Sequence, residues 1–263
     1  MTKNMNVEPT SAMRIGTWIS LHHPAMVEII ALAGFDFLLI DGEHGQVLPH
    51  ALHELAPAVE AAGSSIVYRV PANRPEYIKA GLDQGAWAVM VPMVESVTQA
   101  RAAVDAAKYA PLGRRGIGPL RASRYYAQFG SYLEQANRRT ELIVQIESRD
   151  GLSSMREIAA IDGVDLLYVG PTDLADSLGE PLGSMSATML SAFSDVARAA
   201  QQAGKVAGID CADPSLIETF STMGFSFFSV GGDAQYLLEG ANATRVAALR
   251  YAGINRCADG GTA

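Results

Sequence analysis

Carboxylate and imidazole side chains stand together at the end of a short apolar run near residue 40. Residues 37–40 are all apolar, and Asp41, Glu43 and His44 follow them. Such a run is typical of a buried parallel strand, and α/β proteins place their chemistry where these strands end. Because Asp41 and His44 are three positions apart, the carboxylate can orient and charge-stabilise the imidazole. The segment therefore predicts an acid/base histidine.

Two further carboxylates follow neighbouring apolar runs and suit a hard divalent cation. Glu147 ends one run, with Gln145 two positions earlier on the same face, and Asp173 follows the next. Strand axes lie roughly 4.8 Å apart, and carboxylates that close repel unless a cation or proton lies between them. Oxygen ligands with open positions suit Mg²⁺ or Mn²⁺. The pair favours a metal site over two alternatives, a salt bridge of Glu147 with Arg149 or Arg69 and an N-cap role for Asp173.

An arginine lies inside an apolar run at residues 65–70. Arg69 is flanked there by Tyr68 and Val70. A buried guanidinium needs an anionic partner, which can be a structural carboxylate or the carboxylate and oxo group of a substrate. The position of Arg69 near a strand end favours the substrate.

Eight apolar runs alternate with helical patterns, which predicts the framework that positions these residues. The runs cover residues 15–19, 36–40, 65–70, 87–91, 142–147, 165–169, 205–209 and 225–230. The helical patterns cover residues 24–33, 50–62, 74–84, 95–108, 131–139, 150–160, 186–203, 214–223 and 233–252. This alternation predicts a single-domain (β/α)8 barrel. A doubly wound sheet is the alternative, but no GxGxxG follows the first run.

Composition limits the partners and the compartment. The 263-residue chain is 49% apolar with a net charge of −8, and it has no long basic run, which disfavours nucleic acid and anionic membranes as partners. No uncharged apolar run is long enough to span a bilayer. Residues 1–13 and 254–263 are expected to be tails around a barrel domain at 14–253. Cys211 and Cys257 belong to no motif, so we expect a reducing, cytoplasmic setting.

An ordered set of motifs resembles the HpcH/HpaI aldolases, the metal-dependent class II pyruvate aldolases that act on 4-hydroxy-2-oxoheptanedioate and sugar-acid analogues. The motifs are IDGEHG, VYRVP, VPMVES, GRRGIG, VQIES and VGPTDL. The resemblance covers residues 14–252. It implies a (β/α)8 barrel assembled as a hexamer, a trimer of dimers in which neighbours exchange the last helix. It also implies Mg²⁺, Mn²⁺ or Co²⁺ as the cofactor.

The resemblance also assigns roles. It implies reversible aldol cleavage of a 4-hydroxy-2-oxo acid to pyruvate and an aldehyde, through a pyruvate enolate held by the metal. In the roles that the resemblance implies, Glu147 and Asp173 bind the metal, and Glu43 and Gln145 contact its waters. Arg69 binds pyruvate and stabilises the enolate, and the N–H groups of Thr172 and Asp173 bind the substrate carboxylate. Asp41 and His44 transfer protons, and Asp83 contacts the aldehyde side of a neighbouring subunit's site.

Two departures from the family pattern stand beside this assignment. Asp210 follows the seventh run, where the relatives carry an apolar residue that touches the substrate; it indicates either a different aldehyde preference or a turn or N-cap aspartate. The arginines of the loop 118–126 either meet a polar acceptor tail or pair with surface acids. A citrate-lyase-β-like enzyme acting on CoA thioesters and a non-catalytic oxo-acid-binding barrel are the alternative functions.

Overall fold

Eight parallel strands close into a barrel in chain order in the computed structural model, which describes residues 13–253. The strands are β1 Arg14–Ile19, β2 Phe37–Asp41, β3 Ser65–Arg69, β4 Ala88–Val91, β5 Glu141–Ile146, β6 Leu166–Val169, β7 Val206–Asp210 and β8 Phe227–Gly232. The (β/α)8 prediction is confirmed and the doubly wound sheet is excluded. The two predicted tails lie outside the described residues, apart from Met13.

Ten α-helices pack around the barrel within the described residues. They are α1 Pro24–Ala31, α2 Leu52–Ala61, α3 Pro75–Asp83, α4 Val97–Ala107, α5 Phe129–Arg139, α6 Arg149–Ala159, α7 Pro171–Leu178, α8 Ala187–Gln202, α9 Ile217–Met223 and α10 Asp233–Tyr251. Several of them are followed by a glycine in the left-handed region, for example Gly224 with φ 106°, which suits a residue without Cβ. The helix α7 is not among the helical patterns predicted from periodicity.

Large aromatic side chains fill the barrel interior, and glycines make room for them. The rings of Phe37 and Phe227 stack with centroids 4.2 Å apart. A Cβ at Gly16, which pairs with Phe37 in the β1–β2 register, would lie 2.3 Å from that ring. A Cβ at Gly208 would lie 2.9 Å from the ring of Tyr168. The two glycines therefore set how much aromatic volume the interior holds.

The last helix is anchored at its start and uncovered along its length. The buried Asp233 carboxylate accepts hydrogen bonds from the backbone N–H groups of Ser20, at 2.9 Å, and Leu21, at 2.7 Å. Further along, Leu238 is 64% exposed and Val246 is 60% exposed. Although α10 has 19 residues, no helix within residues 13–253 is long and apolar enough to cross a membrane. The apolar side chains of α10 thus lack a covering surface in the single described chain.

We predict that Gly16→Ala lowers the free energy of unfolding by about 1–3 kcal/mol, the usual cost of overpacking a core. The methyl group has to displace the Phe37 ring, which Phe227 holds by stacking. Urea unfolding followed by circular dichroism measures the change. Gly130→Ala on α5 is the matched control, because a Cβ there meets nothing within 4 Å. Equal losses in the two variants, or none in Gly16→Ala, would contradict this account of the interior.

Candidate active site

A buried ion pair joins the C-terminal ends of β2 and β3. Asp41 and Arg69 are partners in the strand register. Arg69 donates from Nε to Asp41 Oδ1 at 2.9 Å and from Nη2 to Oδ2 at 2.8 Å, and both residues are less than 10% exposed. Burial alone would raise the pKa of Asp41, but the hydrogen bonds and charge of Arg69 outweigh it and hold that pKa below its ordinary value. Asp41 and Arg69 are therefore both charged, and their two hydrogen bonds fix the orientation of the guanidinium.

The contact expected between the Asp41 carboxylate and the His44 imidazole is not formed. Asp41 Oδ1 instead accepts from the backbone N–H groups of Glu43, at 3.0 Å, and His44, at 3.2 Å. The His44 side chain is 70% exposed, and its Nε2 lies 3.9 Å from Glu43 Oε2. That part of the prediction was wrong because Arg69 occupies both carboxylate oxygens. Asp41 thus shapes the turn that carries His44, and Glu43 is the carboxylate that faces the ring.

Glu43 also belongs to the charged set around Arg69. Its Oε2 lies 3.1 Å from Arg69 Nη1. Burial raises the pKa of Glu43, the charge of Arg69 opposes this, and the neighbouring charges of Asp41 and Asp173 add to the rise. Arg69 therefore faces two carboxylates at once, with the ring of Trp18 4.5 Å from its Cζ.

Glu147 lies directly after β5, 3% exposed, with each carboxylate oxygen bonded to a neutral donor. Oε1 accepts from the backbone N–H of Met93 and Oε2 from Nε2 of Gln145, both at 2.7 Å. Met93 has φ 50°, a strained conformation for a residue with a side chain, and such strain clusters at functional sites. The alternative pairing with Arg149 is absent, because Arg149 donates to the carbonyls of Ser177 and Leu178.

The pKa of Glu147 is raised to about 7, because burial and the charges of Asp173 and Glu43 together outweigh the opposing effects of the Met93 N–H and Arg69. A buried carboxylate next to other carboxylates is poorly stabilised as an anion by its protein surroundings alone. A cation at this position would relieve that repulsion.

Asp173 lies in the first turn of α7, close enough for its charge to act on Glu147. It does not cap the helix, because Gly170 is the N-cap residue. A Cβ at Gly170 would lie 2.5 Å from Glu147 Oε2, so glycine is what allows α7 to begin against that carboxylate. Thr172 and Asp173 are both exposed, and the amide groups of a first helical turn favour an anion.

The donor set fits a divalent cation that keeps open positions. Glu147 and Asp173 supply carboxylate oxygens, and the buried Gln145 Oε1 accepts no hydrogen bond. Within residues 13–253 no three His, Cys, Asp or Glu side chains form a metal-binding cluster. The protein thus offers two carboxylates with a buried amide oxygen beside them, which suits Mg²⁺ or Mn²⁺ sharing its remaining positions with water or substrate oxygens.

Asp210 takes neither of the two local roles considered for it. Asp213, three residues later, accepts from the Ser215 N–H and forms the turn. Asp210 Oδ1 instead accepts from Trp18 Nε1–H at 2.7 Å and from Ser229 Oγ–H at 2.5 Å. Trp18 is not among the site residues predicted from the sequence, although an aromatic residue just before the end of the first strand was an available signal.

Asp83 is not brought to the other predicted site residues in the described chain. It ends α3, and its Oδ1 accepts from Arg115 Nη2 at 2.6 Å. Burial raises the pKa of Asp83, and the hydrogen bond and charge of Arg115 oppose it. In the nearby loop, Arg121 donates to Glu60 Oε1 and to the carbonyl of Gln84. The bonds to Asp83 and Gln84 connect the end of α3 to the loop 108–128. The bond to Glu60 shows Arg121 paired with a surface acid, which is one of the two roles expected for the arginines of this loop.

Comparisons with known proteins find relatives of this chain over most of its length. A 4-hydroxy-2-oxovalerate aldolase of Novosphingobium aromaticivorans is 41% identical over 231 residues, covering 87% of this chain and 87% of that protein. A 4-hydroxy-2-oxo-heptane-1,7-dioate aldolase of Klebsiella pneumoniae is 39% identical over 233 residues, covering 88% and 87%. The crystal structure of an HpcH/HpaI aldolase/citrate lyase family protein from Burkholderia cenocepacia has a TM-score of 0.83 and 34% identity, and covers 91% of this chain and 95% of that chain.

The family model for HpcH/HpaI aldolase/citrate lyase matches residues 14–239. This match spans all eight strands and every predicted site residue. The named relatives and the closed eight-stranded barrel agree with this family match. The chain therefore belongs to the HpcH/HpaI aldolase/citrate lyase family, and the enzyme class predicted from its sequence, a carbon–carbon lyase of the pyruvate aldolase type, is confirmed.

Proposed function

We propose that this enzyme cleaves a 4-hydroxy-2-oxo acid reversibly into pyruvate and an aldehyde, with a divalent cation held by Glu147 and Asp173. The observation that carries the proposal is the buried Arg69 guanidinium, fixed by Asp41 on the same rim as these carboxylates. The two curated relatives named above are both aldolases of 4-hydroxy-2-oxo acids, which favours this substrate class over CoA thioesters.

The substrate's pyruvyl end would be bound between cationic and amide groups. When bound, Mg²⁺, Mn²⁺ or Co²⁺ supplies Lewis acidity toward the carboxylate and 2-oxo oxygens. Arg69 places a second positive charge at the 2-oxo oxygen, where negative charge develops as the enolate forms. The N–H groups of Thr172 and Asp173, at the start of α7, bind the substrate carboxylate. Gln145 keeps Glu147 oriented through its 2.7 Å hydrogen bond.

Proton transfer is assigned to His44, with Glu43 beside it. Cleavage begins with removal of the 4-hydroxyl proton. The C3–C4 bond then breaks, the aldehyde leaves, and the electron pair of that bond remains on the pyruvyl fragment as the enolate. Addition of a proton at C3 converts the enolate to pyruvate. The exposed imidazole of His44 is free to meet the hydroxyl, and Glu43 stabilises the imidazolium that results. Asp41 contributes by holding Arg69 and the turn, not by pairing with the ring.

We predict that Glu147→Gln and Asp173→Asn each weaken Mn²⁺ binding by at least about 100-fold, beyond the usual effect of losing a group that only supports a ligand. Each change removes one of two anionic oxygens from a cation that otherwise prefers water. Isothermal titration calorimetry measures the affinity. Asp176→Asn, an exposed carboxylate one turn later on α7, is the matched control and is expected to bind Mn²⁺ normally. Unchanged affinity in both site variants would refute the metal assignment.

A second prediction separates enolate stabilisation from proton transfer. Arg69→Ala is expected to abolish both aldol cleavage and oxaloacetate decarboxylation, since both pass through pyruvate enolate. His44→Ala is expected to slow aldol cleavage by roughly 10²–10⁴-fold, the usual range for a general base, while decarboxylation changes only a few-fold. Both rates are followed by coupled pyruvate detection, with His50→Ala on the exposed turn before α2 as the control. Equal losses in both reactions for His44→Ala would make the histidine structural.

We propose a cytoplasmic location on the basis of thiol chemistry. Cys211 is a buried free thiol, and burial raises its pKa to about 11. A buried cysteine that forms no disulfide among the described residues is compatible with a reducing compartment.

We further propose that the active form is a hexamer in which neighbours exchange α10 and Asp83 serves a neighbouring site. Leu237, Leu238 and Val246 are all more than half exposed on α10, a face that a second copy would cover. Asp83 lies at the end of α3, outside its own barrel, and its contacts are with the loop 108–128. Such a side chain can reach a site rim across an interface.

The corresponding prediction is subunit complementation. Asp83→Ala and Glu147→Gln are each expected to be inactive, and mixed oligomers formed by dissociation and reassembly should regain part of the activity, because some sites then combine two intact residues. Asp105→Ala, which loses an exposed ion pair with Arg114 elsewhere on the chain, is expected to remain active by itself. No recovery in mixed oligomers verified by mass spectrometry would restrict Asp83 to its own subunit and the Arg115 pair.

A further inference from the structure

The Trp18 indole lies between a carboxylate and the guanidinium assigned to the enolate. Its Nε1–H donates to Asp210 Oδ1 at 2.7 Å, and Arg69 Cζ lies 4.5 Å from its ring centroid. A cation at this distance from an indole face is attracted to it. The ring of Trp18 therefore packs against the guanidinium of Arg69, and its position affects how Arg69 is held.

Asp210 is itself held in place by a buried hydroxyl network. Ser229 Oγ–H donates to Asp210 Oδ1 at 2.5 Å, and the Tyr168 hydroxyl is hydrogen-bonded to Ser229 Oγ. Ser229 and Tyr168 are fully buried, and Asp210 pairs with Ser229 in the β7–β8 register. The hydroxyl groups thus fix the Asp210 carboxylate from the barrel interior. The carboxylate in turn fixes the indole, through the hydrogen bond from Trp18 Nε1–H.

We propose that Asp210 is a positioning residue, which acts through the Trp18 indole to keep Arg69 oriented toward the enolate oxygen. The proposal rests on the proposed aldolase function and adds a residue to it. The connection runs from Tyr168 and Ser229 through Asp210 to Trp18 and Arg69, across strands β6, β8, β7, β1 and β3. Asp210 Oδ1 accepts hydrogen bonds from both Ser229 and Trp18, so the same oxygen joins the buried network to the indole.

A different role for Asp210, direct contact with the aldehyde end of the substrate, predicts other kinetics. A contact with the aldehyde would change the relative kcat/KM values of different aldehydes and leave oxaloacetate decarboxylation unaffected. A positioning role through Trp18 lowers kcat in both reactions, because both need Arg69 at the enolate. It also predicts that the effect is reproduced by removing the indole N–H alone.

The variants are chosen to separate the hydrogen bond from the charge. Asp210→Ala removes the acceptor, whereas Asp210→Asn keeps an amide oxygen that can accept from the indole. Trp18→Phe keeps an aromatic face over Arg69 but has no N–H. Asp213→Ala is the matched control, an exposed carboxylate on the same loop whose side chain bonds to Ser215.

Asp210→Ala and Trp18→Phe are each expected to lower kcat in both reactions by roughly ten-fold, as befits one hydrogen bond to a charged group, with little change in KM. The double variant should be no worse than the single ones, because both remove the same interaction. Asp210→Asn should restore most of the rate. Additive losses, or a loss confined to certain aldehydes, would overturn the proposal.

An indole NMR measurement tests the anchor independently of activity. The chain has two tryptophans, so two ¹⁵N-labelled indole resonances are expected, and Trp18→Phe identifies the one from Trp18. Asp210→Ala should shift that resonance upfield, whereas Asp210→Asn and Asp213→Ala should leave it near its original position. An unshifted resonance in a folded Asp210→Ala protein would refute the anchor. If the wild-type enzyme catalyses neither reaction, the proposed function fails, and the resonance still shows whether Asp210 holds Trp18.

Discussion

The site depends on the cost of burying the Arg69 guanidinium. This cation is 8% exposed and requires anions on fixed sides, which Asp41 and Glu43 provide at 2.8–3.1 Å. The bidentate pair with Asp41 also constrains the strands, since a one-residue slip between β2 and β3 would turn one of the two side chains to the opposite face. The strand register thus serves both to close the barrel and to neutralise this charge.

Carboxylates outnumber cations around Arg69, and this excess is what prepares the rim for a ligand. Asp41 already neutralises the guanidinium, and burial together with the charges of neighbouring carboxylates raises the pKa of Glu43 and of Glu147. Burial of such groups lowers stability, and carboxylates with raised pKa values cluster at functional sites. The structure places neutral N–H donors on both oxygens of Glu147, which orient the carboxylate without removing its charge. The arrangement is preorganised for a positive ligand and, through it, for an anionic substrate.

Local patterns in the sequence predicted the barrel, whereas the long-range partners of side chains could not be predicted from them. Apolar runs located all eight strands to within about two residues, because burial on both faces leaves a strong signal. The spacing of Asp41 and His44 was compatible with a side-chain pair, but the Asp41 carboxylate instead binds Arg69, which lies on another strand. The bond between Trp18 and Asp210 joins residues 192 positions apart, so no local pattern encodes it. Side-chain partners of this kind follow from barrel closure and not from spacing.

The helix with the uncovered face is linked directly to the loop that carries His44. Asp233, the first residue of α10, binds the N–H groups of Ser20 and Leu21. The carbonyl of Ser20 in turn accepts from the Gln46 N–H at 2.8 Å, two residues after His44. A Cβ at Gly45 would lie 2.3 Å from the Asp41 carbonyl, so this turn packs without spare room. Because each contact on this path involves a backbone N–H group, a displacement of the start of α10 would reach the turn that holds Glu43 and His44. The start of α10 is therefore connected to the turn that carries Glu43 and His44 through one short path of hydrogen bonds.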